Sequence, residues 1–193
     1  MDEPRIATQR LLLRTPQPED ASEVQRLAGD FRIADVTSSI PHPYPPELAQ
    51  RWIERCAEEW ASGAAANFII TEADSGKLVG CMALKDISRG EAEVGYWIGV
   101  PYWSRGYASE ACNALVDFAF RHLRLRRLVA RRDRRHPSRV RRTRPAHPRQ
   151  HQRKLLTRLG HSVVVERHPH RLDHLPGRKA QTAALRRVVA ARH

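Results

Sequence analysis

The chain has 193 residues, enough for one domain with a single core and too few for two large ones. Its start is acidic, no signal-like apolar run follows, and no segment approaches the roughly 18 consecutive apolar residues of a membrane span. The three cysteines are far apart and lack Cys-x-x-Cys spacing, so they indicate neither a disulfide framework nor a zinc site. These features predict a cytoplasmic protein whose cysteines are small buried apolar residues.

The net charge of +13 conceals an uneven distribution along the chain. Residues 121–193 carry 23 Lys and Arg against 3 Asp and Glu, whereas the first 120 residues carry 11 against 18. All twelve Phe, Trp and Tyr lie at or before Phe120, and nine of the ten histidines lie after it. A core of this size normally draws aromatic residues from all its elements. The chain therefore divides into an acidic body and a basic tail.

The first elements are a strand, a helix and a stiff loop. Residues 10–15 form a short apolar run bounded by polar residues, which predicts a strand. Residues 19–28 have apolar side chains at helical spacing, and Gly29 stands just past them, where helices commonly end. Segment 38–46 contains four prolines. Each proline restricts its own φ and drives the preceding residue toward extended conformations, so this segment cannot be helical.

A second helix is predicted over 47–62, because two prolines precede it and a glycine follows it. Its apolar stripe, expected to pack on a sheet, consists of Leu48, Trp52, Cys56 and Trp60. Three strands follow, over 67–73, 78–87 and 91–100. The first two are joined by a turn of the hairpin type that contains Gly76.

The segment from Gly95 to Ala111, GYWIGVPYWSRGYASEA, joins the last of these strands to a helix predicted over 108–122. The first N–H groups of a helix have no partner within the helix and lie at its positive end, so a strand leading through a glycine-containing loop into a helix builds an anion site. The segment therefore predicts a site for a phosphate-bearing cofactor. The apolar surface of the helix, expected against the sheet, consists of Ala111, Cys112, Leu115, Phe118 and Ala119.

This segment resembles the GNAT superfamily of N-acetyltransferases, and within it the branch that acetylates protein N-termini, including those of ribosomal proteins. The superfamily pattern is Arg/Gln-x-x-Gly-x-Gly/Ala, which WSRGYA matches at Gly106 and Ala108, with Trp103 in place of Arg or Gln. The flanking GYWIGVPYW and SEACNALVDFAF also look like that branch. The resemblance implies an α/β (α+β) fold, with a mixed, mostly antiparallel sheet and helices on both faces. It also implies acetyl-CoA as cosubstrate, no metal, and a primary amine as acceptor, either a protein N-terminus or a small amine.

The resemblance also implies where the cosubstrate binds. In the superfamily the strand before the loop bends away from its neighbour, so the main chain of Ile98 and Val100 is expected to contact the pantetheine arm. Gly106 is expected to allow close approach of the pyrophosphate, and Arg105 to add charge. The N–H groups expected to hold it are those around Ser104 to Ala108. The loop residues expected to bind the cofactor are Trp103, Ser104, Arg105, Gly106, Tyr107 and Ala108.

Gly95 and Gly99 lie inside the strand before the loop. Interior glycine weakens a strand and often marks a bulge or the close approach of a ligand. The alternative is that both glycines relieve crowding beside Trp97 and Tyr102. The loop that follows them favours the approach of a ligand.

Acetyl transfer to an amine needs a neutral amine near the thioester, a donor for the developing oxyanion, and removal of a proton. Glu93 is the candidate general base, acting through water, with Glu91 on the same side of the strand as the second candidate. The alternative is a solvent-facing glutamate, because strand alternation does not identify the side of the cleft. His42 and Tyr44, in the proline loop, are candidate acceptor contacts or ordinary loop residues.

The resemblance weakens after residue 120. Residues 125–130 predict a fifth strand, 162–166 a sixth and 180–191 a closing helix, but 131–152 has almost no apolar content. The Asn and Ser that the family places before its last helix fall on Arg149 and Gln152. This departure removes an expected pantetheine contact and leaves the general acid unassigned. The predicted division is an acetyltransferase domain over 1–130 and a divergent Arg- and His-rich region over 131–193, completing the fold from about residue 150.

Three accounts of residues 131–193 stay open. A basic extension would bind RNA or an acidic surface through charge, although it lacks aromatic residues to stack on bases. A metal site would use His168, His170, Asp173 and His174. Partly out-of-frame translation of a GC-rich gene would yield Arg, Pro, His and Ala without aromatics, and the composition favours it. The alternative to an enzyme is thus a non-catalytic cofactor-binding relic or a basic nucleic-acid-binding protein.

Overall fold

A computed structural model describes residues 4–130 and, as backbone, residues 163–166. These residues form one sheet of seven strands, ordered as they occur in the chain. Every pairing is antiparallel except that of β5 with β6, which is parallel. This confirms the predicted mixed, mostly antiparallel sheet. The strands are β1 (Arg5–Ala7), β2 (Leu11–Arg14), β3 (Ala66–Glu72), β4 (Leu78–Ser88), β5 (Glu91–Ile98), β6 (Arg127–Ala130) and β7 (Val163–Glu166).

Helices cover both faces of the sheet, as predicted. The longest are α3 (Leu48–Ser62) and α4 (Tyr107–Arg121), each of 15 residues. On one face α4 buries Leu115 against Phe68 and Met82. On the other face α1 (Ala21–Ala28) and α3 bury Val24 and Ala49 against Ile69. The remaining helical segments are α2 (Phe31–Ala34) and two short 3₁₀ turns, Pro18–Asp20 and Val100–Tyr102.

The strand β1 and the helix α2 were not expected from the sequence. β1 has three residues and α2 has four, both too short to show a hydrophobic period. The predicted strand over 162–166 is confirmed as β7, which pairs with β6 at four positions. The closing helix predicted over 180–191 lies outside the described residues.

The predicted apolar stripe of α3 is wrong in part. The fully buried positions are Ala49, Ile53 and Cys56, whereas Trp52 and Trp60 are half-buried. At 3.6 residues per turn, a row taken at every fourth residue moves around the helix by about 40° at each step. The true contact face therefore combines spacings of three and four. All three cysteines are buried and free, as predicted.

The strand predicted over 91–100 is too long, because β5 ends at Ile98. Pro101 lies in the 3₁₀ turn that starts at Val100, and a proline cannot extend a paired strand. β6 is also shorter than its predicted range of 125–130. Within the described residues, no helix has the length and apolar character needed to cross a membrane.

Candidate active site

A cleft of about 1000 Å³ is lined by the part of β5 that starts at Glu93 and by Ala130 at the end of β6. Among the described residues, β6 pairs with β5 only along Glu91–Glu93, so the rest of β5 has a sheet neighbour on one side only. Val94 packs in the α4 cluster and Trp97 in the cluster of α1 and α3, so these positions face opposite sides of the sheet. Residues of both sides line the cleft, which therefore crosses the sheet at the unpaired edge of β5.

The structure brings most of the predicted site residues to this one cleft. Val100, Arg105 and His42 are the three that do not line it. The eight that do are Tyr44, Glu93, Ile98, Trp103, Ser104, Gly106, Tyr107 and Ala108.

The loop before α4 has the backbone of an anion site. Ser104 and Gly106 have positive φ values of 63° and 79°, while Arg105 between them does not. Alternation of this kind turns successive N–H groups toward one side and forms a concave anion-binding nest. α4 begins at Tyr107, one residue before its predicted start, and its first hydrogen bond runs from the Glu110 N–H to the Gly106 carbonyl at 3.1 Å. Within the described chain, the N–H groups of residues 107–109 have no main-chain acceptor, and a pyrophosphate fits this arrangement.

Trp103 fastens this loop to the end of β5. Its indole Nε1 donates to the Ile98 carbonyl at 2.5 Å, and its main-chain N–H donates to the Val100 carbonyl at 3.2 Å. Both residues were predicted to contact the pantetheine arm through their main chains. Each carbonyl already accepts a hydrogen bond within the turn, which restricts what the two residues offer to a ligand.

Arg105 does not line the cleft, and its side chain lies between Glu72 and Tyr102. Its Nη1 is 3.9 Å from Oε1 of Glu72, and its guanidinium carbon lies 5.4 Å from the ring centre of Tyr102. The Tyr107 hydroxyl also donates to Glu72, at 2.9 Å. Hydrogen bonds from Ser75 and then Tyr107 lower the pKa of Glu72. The charge that Arg105 was expected to add is thus partly offset by an ionised neighbour.

A second carboxylate network adjoins the loop, and no pattern in the sequence indicated it. Glu110, in the first turn of α4, binds Thr8 and Arg10 of the β1–β2 turn. Burial alone raises the pKa of Glu110, but the hydrogen bonds from Thr8 and Arg10 outweigh it and lower the pKa overall. The partners are about 100 positions apart, so no local pattern could have indicated the contact.

Glu93 lies opposite Lys85 in the register of β4 and β5, and both residues line the cleft. Glu91, the second candidate base, lies outside the cleft lining and forms an exposed ion pair with Arg127 at 2.9 Å. The cleft geometry therefore favours Glu93.

Gly95 and Gly99 fit the interpretation that each relieves crowding. The crowded neighbours are Lys85 and Leu27, and not Trp97 and Tyr102 as expected. A Cβ at Gly95 would lie 2.8 Å from Cε and 3.0 Å from Nζ of Lys85. A Cβ at Gly99 would lie 2.9 Å from a methyl carbon of Leu27. Gly95 thus leaves room for a lysine side chain in the cleft, and Gly99 leaves room for the core of α1.

Two other titratable groups that line the cleft, Cys81 and Tyr44, have raised pKa values, and His42 lies outside the cleft lining. Burial raises the pKa of Cys81, which lines the cleft, to about 12, so its thiol is not an ionised nucleophile at neutral pH. Burial also raises the pKa of Tyr44. His42 is exposed, with Nδ1 3.2 Å from the Gly29 carbonyl and its ring against Phe31. No cluster of three or more potential metal ligands occurs in the part of the chain that the structure describes.

Comparisons with known proteins agree with this geometry. The acetyltransferase (GNAT) domain family matches residues 10–143. The uncharacterised N-acetyltransferase p20 of Bacillus licheniformis is 29% identical over 127 residues, which span 65% of this chain and 71% of that protein. A protein of Vibrio cholerae, provisionally named a ribosomal-protein-serine acetyltransferase, is 31% identical, with a TM-score of 0.55 over 65% of this chain and 72% of its own.

A more distant structure shows the same fold. RimL, a ribosomal L7/L12 alpha-N-protein acetyltransferase in complex with coenzyme A, has a TM-score of 0.61 at 17% identity, over 66% of this chain and 73% of its own. The family match covers more than half of the chain and includes β5, the loop and α4. The chain therefore belongs to the GNAT family of acetyltransferases and is an N-acetyltransferase.

Proposed function

We propose that this enzyme takes the acetyl group of acetyl-CoA and transfers it directly to a primary amine, which is a protein N-terminus or a small amine. One observation carries the proposal: the anion-binding loop before α4 and Glu93 line the same cleft, which crosses the sheet at the unpaired edge of β5. A long thioester can therefore lie with its phosphates on the loop and its acetyl end near Glu93.

The loop would hold the pyrophosphate through the free N–H groups that begin α4 and through the nest around Gly106. The unpaired edge of β5 would hold the pantetheine arm, with Ile98 at its end. When bound, acetyl-CoA supplies an activated acyl carbon, so the protein needs no covalent nucleophile. The neutral thiol of Cys81 agrees with direct transfer.

Glu93 would accept the proton of the attacking amine through a water molecule. Lys85, opposite it, places an ammonium group in the cleft. A nearby like charge disfavours the protonated form of an amine. Lys85 would therefore help to supply the neutral amine that attacks the thioester. As the amide C–N bond forms, the C–S bond would break and coenzyme A would leave as its thiolate, while Glu93 removes the proton that the new amide must lose.

A protein N-terminus is supported by the name of the Vibrio cholerae relative, which refers to a ribosomal protein. Tyr44 lines the cleft on the α1 side, and we propose it as one wall of the acceptor site. His42 lies outside that wall.

The proposal is tested with the full chain in two steps. Calorimetry with acetyl-CoA should show binding. A thiol-release assay should then show turnover with peptides that begin with Ser or Ala, or with a polyamine if the acceptor is a small amine. Binding without turnover on either acceptor class would indicate a non-catalytic relic. Absence of acetyl-CoA binding would contradict the proposed function.

A further inference from the structure

We propose that Arg10 and Glu110 form a positioning pair that sets the shape of the anion-binding loop, and thereby the affinity for the phosphate end of the cosubstrate. This inference rests on the proposed function, because it assigns the loop to those phosphates. Neither residue lines the cleft, so the pair acts through the loop and not by contact with the acetyl group.

Glu110 is the fixed member of the pair, since both of its carboxylate oxygens accept hydrogen bonds. Its Oε1 accepts from the Thr8 hydroxyl at 2.7 Å and from the Arg10 N–H at 2.9 Å. Its Oε2 accepts from Nε of Arg10 at 2.7 Å and lies 2.6 Å from Nη2. The Glu110 side chain is only 19% exposed, so these contacts are partly shielded from water. Two guanidinium nitrogens of Arg10 thus share one carboxylate oxygen while its main-chain N–H donates to the other, and these charge-assisted contacts fix the position of the guanidinium group.

Arg10, fixed in this way, contacts Arg105 and Tyr107, the residues on either side of Gly106. Its Nη1 donates to the Arg105 carbonyl at 3.1 Å. Its guanidinium carbon lies 4.9 Å from the ring centre of Tyr107. Between them, Nη2 lies 3.6 Å from the place that a Cβ of Gly106 would occupy.

These contacts matter because the loop needs an uncommon backbone. Ser104, a residue with a side chain, holds a φ of 63°, and such residues keep a left-handed conformation only when their surroundings impose it. The hydrogen bond from Arg10 to the Arg105 carbonyl fixes the residue directly between the two left-handed positions. Without it, the N–H groups of the loop would lose their common direction, and the loop would bind phosphate less well.

The test measures KM and kcat of the full chain with acetyl-CoA and with S-acetylpantetheine, a thioester donor that lacks the phosphates. Arg10→Lys keeps the charge but cannot form the planar fork. Glu110→Gln keeps the shape but removes the charge that holds Arg10. Each variant should raise KM for acetyl-CoA about ten-fold and change kcat by less than about two-fold, as expected when charge-assisted hydrogen bonds are lost. KM for S-acetylpantetheine should not change.

Arg14→Lys is the matched control, because Arg14 also holds a carboxylate with two guanidinium nitrogens, each 2.7 Å from an oxygen of Asp20, outside the cleft lining. This variant should leave both KM values unchanged. Equal effects on the two donors, an unchanged KM for acetyl-CoA in Arg10→Lys, or the same rise in Arg14→Lys would overturn the inference. Wild-type protein that fails to bind acetyl-CoA would instead overturn the proposed function on which the inference rests.

Discussion

Glu93 lies at the last described position where β5 pairs with β6. On the other side its pairing partner is Lys85 of β4. If Glu93 is the general base, Glu93→Gln should lower kcat by about 100-fold or more, since positioned proton transfer typically contributes that much. KM for acetyl-CoA should change little, because the phosphates bind elsewhere. Steady-state kinetics with the best acceptor measure both constants.

The control for this prediction is Glu91→Gln on the same strand. Glu91 is about half exposed, pairs with Arg127 and does not line the cleft. Exposed pairs of this kind contribute little, so kcat should stay near the wild-type value. A loss of kcat in Glu91→Gln but not in Glu93→Gln would show that the second candidate is the base.

Gly106 adopts φ 79° at the N-cap of α4, a conformation that costs a residue with a Cβ about 1–2 kcal/mol. An alanine side chain at position 106 would not be crowded, because the nearest atom to its Cβ would lie 3.6 Å away. Gly106→Ala should therefore lower the free energy of unfolding by about 1 kcal/mol and also raise KM for acetyl-CoA, since a relaxed loop misdirects its N–H groups. Urea unfolding and steady-state kinetics measure the two effects.

Gly63→Ala provides the comparison for Gly106→Ala. Gly63 has φ 71° at the C-cap of α3, with nothing within 4 Å of an added Cβ. The stability loss should be similar, but KM should not change. A KM that is also unchanged in Gly106→Ala would contradict the assignment of the loop to phosphate binding.

At the scale of the elements, α4 is tied to the β1–β2 turn by an ionised carboxylate. The pKa of Glu110 in the folded protein lies below its ordinary value of 4.5. The contribution of this group to stability is therefore fully present above about pH 4.5 and is lost as the pH falls below that value toward the folded pKa. Wild-type protein should melt at a higher temperature than Glu110→Gln at pH 7, and the difference should shrink as the pH falls from 5 to 3.

Thermal unfolding followed by circular dichroism at several pH values measures this difference. Glu91→Gln again serves as the control, since its exposed ion pair should give only a small difference at any pH. A difference for Glu110→Gln that stays constant down to pH 3 would show that the carboxylate does not stabilise α4 by its charge.

The elements themselves were largely predictable, and the contacts between them were not. Strand alternation and the loop signature located β5, the anion-binding loop and α4 to within two residues. Pro101 could have shown that the strand ends before it. The pairing of Arg10 with Glu110 and the register of Lys85 against Glu93 depend on how distant segments meet. A single sequence contains no local period for such contacts, so these parts of the site required the structure.

At the scale of the whole molecule, the sheet does not end at residue 130. The parallel pair of β5 and β6 forms one side of the cleft, and β6 is flanked by β7 from the region after residue 131. The three consecutive valines of β7 suit a strand. We therefore propose that the catalytic domain draws on residues beyond 130, which supports completion of the fold from about residue 150.

Removal of β7 should consequently weaken both the fold and the site. In a fragment of residues 1–130, β6 is a four-residue edge strand that pairs only with β5. The cleft beside β5 is then no longer stabilised by the pairing of β6 with β7. This fragment should melt at least roughly 5 °C below the full chain and bind acetyl-CoA more weakly. A fragment of residues 1–170, which retains β7, should match the full chain in both properties. Circular dichroism and calorimetry provide the measurements. Equal melting temperatures and affinities for the 1–130 fragment and the full chain would show that β7 is dispensable and that the domain ends at residue 130.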